Sequence, residues 1–178
     1  MEREASAERK TMSIIYKGRT FSVEVARRRY PDGSEHDVEI VHHRPVVVMI
    51  PIDRDGRVIM IKQHRAVIER ETYEIPAGGI EEGEDAETAV RRECEEEIGR
   101  VPQRLARLGA WYSSPGFCDE LMIFFRVWEL RDPPPDSPHK PDEDERIAPH
   151  PVTIDEARAM VKRGEIVDLK TAFALTLL

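Results

Sequence analysis

The pattern of apolar and polar positions divides the chain into short strands, two strongly apolar runs and a few helical stretches. Residues 1–12 are polar and read as a frayed start. Between Ser13 and His43, short strands are separated by Tyr16-Lys17-Gly18 and, more strongly, by Tyr30-Pro31-Asp32-Gly33, where proline presets φ and glycine accepts a positive one. The runs VVVMIPI and RVIMIKQ then flank Asp53-Arg54-Asp55-Gly56. An Asp-Gly pair in that setting predicts a hairpin over residues 45–63, and the nearly unbroken runs predict strands covered on both faces, as in a layered α/β domain. Residues 72–75 read as a short strand and Pro76-Ala77-Gly78-Gly79 as a loop. Residues 85–98 predict a helix stopped by Gly99. Strands are expected over residues 105–112 and 121–130, joined by the loop SSPGFCDE. Residues 131–146, RDPPPDSPHKPDEDER, form a loop long enough to be either functional or disordered. Thr153 and Glu156 make a capping box for a helical unit ended by Gly164, and DLKTAFALTLL reads as a closing amphipathic helix.

The helix over residues 85–98 raises a question of charge. Advancing about 100° per residue from Ala86 puts Val90, Cys94 and Ala89 on an inward arc. Glu87, Arg91 and Glu95 fall on the solvent side, and Glu96 at the edge of the stripe. Glu93 and Glu97, four residues apart, land inside the inward arc on either side of Ala86. Burying two unpaired carboxylates is costly, and they repel each other. Two arrangements relieve this: arginines such as Arg92 or Arg65, or a divalent cation, since carboxylate oxygens suit Mg²⁺ or Mn²⁺. The helix alone leaves both open.

Composition narrows the classes. The 178 residues suit one domain, or one with a small appendage. Lysine plus arginine count 27 against 35 acids, a net charge of -8, which offers no general attraction to nucleic acid. The start of the chain lacks an apolar leader region, and no run approaches the ~18 apolar residues of a membrane span. Cys94 and Cys118 make no disulfide framework. These features predict a soluble, cytoplasmic protein that binds neither nucleic acid nor membrane.

From Gly78 the chain reads GGIEEGEDAETAVRRECEEEIGR, which resembles the Nudix box, G-x5-E-x7-R-E-U-x-E-E-x-G-U with U apolar. Gly78, Glu84, Arg92, Glu93, Cys94, Glu96, Glu97 and Gly99 fill it in register, and only Arg100, at the last apolar slot, departs. The flanks QHRAVIERETYEIPAGG, SPGFCDE, PDEDE and YKGRTFSV are similar to segments of the ADP-ribose pyrophosphatases of that superfamily, so the resemblance runs from about residue 14 to the end. It implies an α/β fold, a Nudix α/β/α sandwich with a mixed sheet at residues 45–178. A small N-terminal β region, residues 1–44, would mediate a homodimer. It also implies Mg²⁺-dependent hydrolysis of ADP-ribose to AMP and ribose 5-phosphate. The alternatives are the same chemistry on other nucleoside diphosphate sugars or NADH, and a nucleotide-sensing module without turnover. The latter need not keep Arg92, Glu93, Glu96 and Glu97 together.

The resemblance also implies roles. Glu93, Glu97 and the Ala77 carbonyl hold metal, with Glu145 completing the set. Glu96 supports them, oriented by Arg92, and Glu84 ties loop to helix. Glu143 is the expected general base, with Glu145 and Glu120 as alternatives. Arg65 is expected on phosphate or the terminal ribose, Glu74 on adenine, Gly116 and Phe117 on the ribose side, and Glu120 and Glu39 on substrate. Tyr30 or Trp111 would stack on the base. One departure stands out: where relatives commonly carry an arginine two places before Glu39, this chain has Asp37, with Arg27, Arg28 and Arg29 nearby as substitutes.

Overall fold

The computed structural model describes residues 13–139 and 147–178. The expected frayed start, residues 1–12, lies outside the described residues, as do Glu143 and Glu145. The chain divides into two compact units. One runs up to Arg44 and takes in Tyr112–Glu120; the other comprises Pro45–Trp111 and Leu121–Leu178.

In the first unit, β1 (Ser13–Lys17), β2 (Phe21–Arg29) and β3 (Glu35–His43) form an antiparallel sheet in the order β1-β2-β3. The turn after β2 is the one read from Pro31 to Gly33, and Gly33 takes φ 86°. The loop after residue 112 docks on β3: Val41 N–H donates to the Phe117 carbonyl at 2.7 Å, and Asp119 N–H to the Val41 carbonyl at 3.1 Å.

In the second unit, β4 (Val46–Pro51), β7 (Ala77–Gly79), β8 (Val101–Tyr112) and β9 (Leu121–Arg131) form a mixed sheet in the order β7-β4-β9-β8. Its β4 and β9 are parallel, while β4 and β7 are antiparallel. A second, antiparallel sheet has the order β10-β5-β6, from β5 (Val58–Arg65), β6 (Arg70–Glu74) and β10 (Ile147–Val152). Three helices complete it: α1 (Ala86–Ile98), α2 (Ile154–Arg163) and α3 (Leu169–Ala174).

The unbroken apolar runs are explained by two cores. Val47 and Met49 of β4 and Ile61 of β5 pack with Ala89, Val90 and Cys94 of α1. Val46, Val48 and Ile50 of β4, with Val58 and Met60 of β5, pack against Ala157 and Met160 of α2 and Ala174 of α3. Alternate side chains of one strand thus enter opposite cores, so every position is apolar.

Two local expectations are corrected, and one strand is new. The turn at Asp53–Gly56 forms, but β4 and β5 share only the bridge Ile52↔Val58 and then enter different sheets. The turn reports a reversal, while pairing is decided by which strands complete each layer. Ala77–Gly79 is not loop but β7, paired with Val46–Val48. The strand β10 escapes a sequence reading because it carries Pro149 and Pro151; it forms the edge of its sheet, where prolines leave no ladder bond unmade.

Candidate active site

The sequence stations α1 firmly at both ends. The Asp85 side chain accepts from Glu87 N–H at 2.9 Å and Thr88 N–H at 3.0 Å. At the other end Gly99, at φ 64°, lets its own N–H reach the Glu95 carbonyl and the Arg100 N–H the Cys94 carbonyl. Gly99 is therefore a helix stop that a β-carbon would strain.

Between the caps, Arg92 uses its whole guanidinium. Nε donates to Glu84 Oε1 at 3.0 Å and Nη2 to Glu84 Oε2 at 2.8 Å. Nη1 donates to Glu93 Oε1 at 2.6 Å and to Glu96 Oε2 at 3.0 Å, while Nη2 also reaches the Gly79 carbonyl at 2.8 Å. The hydrogen-bonded Glu84 carboxylate raises the pKa of Arg92, and Arg92 in turn lowers that of Glu84. One arginine thus orients three carboxylates, the bidentate geometry that lysine lacks.

The helix is also stitched to β7. Ala77 N–H donates to Glu97 Oε2 at 2.8 Å. Gly78 lies so close to Glu93 that an added β-carbon would come 1.9 Å from the carboxyl carbon. Glu93 and Glu97 are both mostly buried, 9% and 8% exposed. The inward placement inferred from helical angles is what the structure has, and Arg92 and the Ala77 N–H supply partners. Both carboxylates also offer hard oxygen donors of the kind a divalent cation takes. Among the described residues no group of three or more His, Cys, Asp or Glu converges as a metal cluster.

The profile of the NUDIX domain family matches residues 42–171, which include the whole of this constellation. The chain belongs to the Nudix family. An ADP-ribose pyrophosphatase of Bacillus subtilis (strain 168) is 37% identical over 96% of this chain and 92% of its own. A methanol dehydrogenase activator of Bacillus methanolicus is 34% identical over 90% and 86%. A crystal structure of an ADP compounds hydrolase superposes with TM-score 0.80, covering 94% of this chain and 89% of that one at 21% identity, a likeness of fold. The α/β Nudix fold and a Nudix hydrolase activity of the divalent-metal-dependent type follow.

One member of the Nudix helix is not where its angle put it. Glu95, expected in solvent, is 7% exposed, and its Oε1 has no hydrogen-bond partner among the described residues. Its burial is tertiary in origin, since α1 packs against β10 as well as β4, β5 and β7. Cys94 is fully buried beside Val90, and burial pushes its thiol far up, so it packs rather than reacts.

Arg65 and Glu74 come together, but on each other. Arg65 Nε and Nη2 grip Glu74 at 2.8 and 2.6 Å, and Thr72 Oγ1 donates to the same carboxylate at 2.6 Å. Lys170, which no sequence signal marked, also contacts Glu74. Trp111 lies over Gly109 and packs edge to face on Phe124 and Phe173. His139, in the proline-rich loop, brings Nδ1 to 3.7 Å from Glu96 Oε1.

The remaining expected residues belong to the first unit. Glu39 is exposed on β3, opposite Val25. Gly116 and Phe117 are exposed in the docked loop, and Glu120 lies 3.5 Å from His43 Nδ1. Tyr30 packs edge-on against His36. Asp37 is paired with Arg27 at 3.2 Å, and Arg28 reaches Glu24 at 3.4 Å, so two of the three candidate substitute arginines are engaged. His42, unmarked by the sequence, bridges buried Glu24 at 2.6 Å and Asp119 at 2.5 Å.

Proposed function

We propose that this chain hydrolyses the pyrophosphate bond of ADP-ribose, releasing AMP and ribose 5-phosphate. The observation that carries the reading is the intact Arg92–Glu84–Glu93–Glu96 network with Glu97 tied to β7. Two relatives named as ADP-ribose pyrophosphatases, from Bacillus subtilis and Mycobacterium tuberculosis, supply the substrate. Glu93, Glu97 and the Ala77 carbonyl would hold Mg²⁺, or Mn²⁺, with Glu145 as a further ligand. When bound, the cation neutralises the pyrophosphate and lowers the pKa of water.

Arg92 holds Glu93 and Glu96 in place, so little reorganisation remains when substrate arrives. Glu143 takes the proton from the attacking water, with Glu145 and Glu120 as alternatives. Arg65 contacts phosphate through Nη1, the terminal nitrogen that Glu74 does not grip. Glu74, buried and engaged by three side chains, acts through Arg65 rather than on adenine. Gly116, Phe117, Glu120 and Glu39 make the ribose and substrate contacts.

The enzyme works as a homodimer built by residues 1–44, with residues 45–178 as the catalytic domain. Ile14, Ile15, Tyr16 and Phe21 support that, being large apolar side chains exposed on one sheet. No described helix is long and apolar enough to cross a membrane. Both cysteines are free thiols, in keeping with a cytoplasmic setting.

A second reading, the same hydrolysis on other nucleoside diphosphate sugars or NADH, is favoured by one observation: Arg27 is engaged by Asp37. A product assay over ADP-ribose, sugar nucleotides, NADH and diadenosine polyphosphates with Mg²⁺ decides between them. ADP-ribose should be turned over most efficiently to AMP. Release of no monophosphate from any member overturns both readings.

A further inference from the structure

Glu74 is 2% exposed, yet it is held as a carboxylate with a pKa lowered to about 2. Burial alone would raise that value; the hydrogen bonds from Arg65 and the charge and hydrogen bond of Lys170 outweigh it. Arg65 is on β5 and Glu74 on β6, but Lys170 arrives from α3, 96 positions further along the chain. The same helix is fastened at the neighbouring residue. Thr171 is fully buried, and its Oγ1 accepts from Ile75 N–H at 2.8 Å. Asp168 caps α3 by accepting from Thr171 N–H at 2.9 Å, and it holds Lys170 Nζ at 3.0 Å.

This clamp sits at the entrance to β7. Ile75 is followed by Pro76, whose carbonyl accepts from Met49 N–H at 2.9 Å, and then by Ala77, which donates to Glu97. The charges of Arg65 and Lys170 balance those of Glu74 and Asp168. Arg65 nonetheless keeps an open side: its side chain is 47% exposed and Nη1 has no partner among the described residues. The Glu74 hydrogen bond, and to a lesser degree the charges of Asp168 and Glu97, hold its guanidinium firmly protonated, so Arg65 stands within electrostatic reach of the box.

We propose that Lys170 is a positioning residue for Arg65, acting through Glu74, and that it sets both the aim and the net charge of the group that meets the substrate's phosphates. The inference rests on the reading of Arg65 as a phosphate contact. Without Lys170, two carboxylates face one arginine. Glu74, no longer tied to α3 and repelled by Asp168, is then held only by Arg65 and Thr72 among the described residues, so the fork that orients Arg65 loses its fixed anchor. The surplus negative charge also lies where a pyrophosphate must approach. The loss falls on substrate affinity, because the water, the base and the box glutamates are untouched.

The test is steady-state kinetics on ADP-ribose for the full chain and for Lys170→Met, Lys170→Arg, Arg65→Gln and the double variant Arg65→Gln/Lys170→Met. Lys170→Met should raise KM about tenfold with kcat within about twofold, and Lys170→Arg should restore KM, because it keeps the charge. The effect of Lys170→Met should be smaller in the Arg65→Gln background than in the parent chain, the signature of coupled residues. Lys170→Gln, which keeps a donor for Glu74, replaces Lys170→Met if the latter does not fold; its KM should also rise. An unchanged KM in Lys170→Met or Lys170→Gln, beside a raised KM in Arg65→Gln, overturns the role of Lys170. So does a Lys170 effect that persists undiminished in the Arg65→Gln background. An unchanged KM in Arg65→Gln instead overturns the phosphate-contact reading itself.

Discussion

A β-carbon on Gly78 would stand 1.9 Å from the carboxyl carbon of Glu93 and 2.0 Å from its Oε2. The first glycine of the box is therefore there for room, so that β7 can lie directly against an acid of α1. Its φ is not in the left-handed region, so conformational freedom is not the reason. Gly78→Ala should leave the fold intact, since Glu93 can swing aside, but misplace that carboxylate. We expect kcat/KM to fall about a hundredfold with an unchanged circular dichroism spectrum. Wild-type kcat/KM in this variant would show the close approach to be unimportant.

Arg92 carries three carboxylates in a setting only 12% exposed. Arg92→Ala leaves Glu84, Glu93 and Glu96 to repel one another. A loss of about 3 kcal/mol in urea unfolding is expected, with activity falling below detection. Arg92→Lys should recover part of the stability but little activity, because an ammonium cannot reproduce the fork onto Glu84.

Glu97→Gln preserves an acceptor for the Ala77 N–H but removes a charge. Thermal stability should therefore stay close to that of the parent chain. Mn²⁺ titration should show binding weakened by about tenfold to a hundredfold. Chelation of divalent cations should abolish turnover of the parent chain, with recovery on adding Mg²⁺. Unchanged Mn²⁺ affinity in Glu97→Gln would remove this residue from the metal site.

His42 provides a pH dependence of stability. The hydrogen bonds to Glu24, then to Asp119, raise its pKa above 6.5, with Arg28 beside Glu24 as a further charged neighbour and the His43 backbone N–H donating to Asp119. A raised folded-state value means the imidazolium stabilises fully below pH 6.5, and that stabilisation is lost as pH rises through the folded pKa. The melting temperature should fall as pH rises through that window, and His42→Gln should flatten the slope there. Glu74 acts with the opposite sign: its contribution is present above pH 4.5 and is lost as pH falls toward about 2.

Glu95 has a buried oxygen without a partner among the described residues. Glu95→Met should accordingly stabilise the chain by about 1 kcal/mol, since it removes an uncompensated desolvation. Destabilisation by a similar amount would mean that the carboxylate is paired.

Much of this site is local in origin and so was legible in the chain. The caps at Asp85 and Gly99, the i,i+4 placement of Glu93 and Glu97, and the reach of Arg92 to Glu96 all follow from helical geometry within a few residues. The spacing from Gly78 to Gly99 sufficed for the family, because a metal-dependent hydrolase needs those types at those intervals. Glu143 and Glu145 lie outside the described residues, so their roles rest on that resemblance.

Other features needed the folded chain. Nothing near Asp53–Gly56 says that β4 and β5 part into different sheets, and nothing in a run containing Pro149 and Pro151 announces an edge strand. No helical angle buries Glu95, and no spacing brings Lys170 to Glu74. Turns, caps and helix faces are set by interactions within about four residues and can be read from the sequence by itself. Strand partners, burial and ion pairs across 96 positions depend on which distant surfaces exclude water together, and only the tertiary structure decides that.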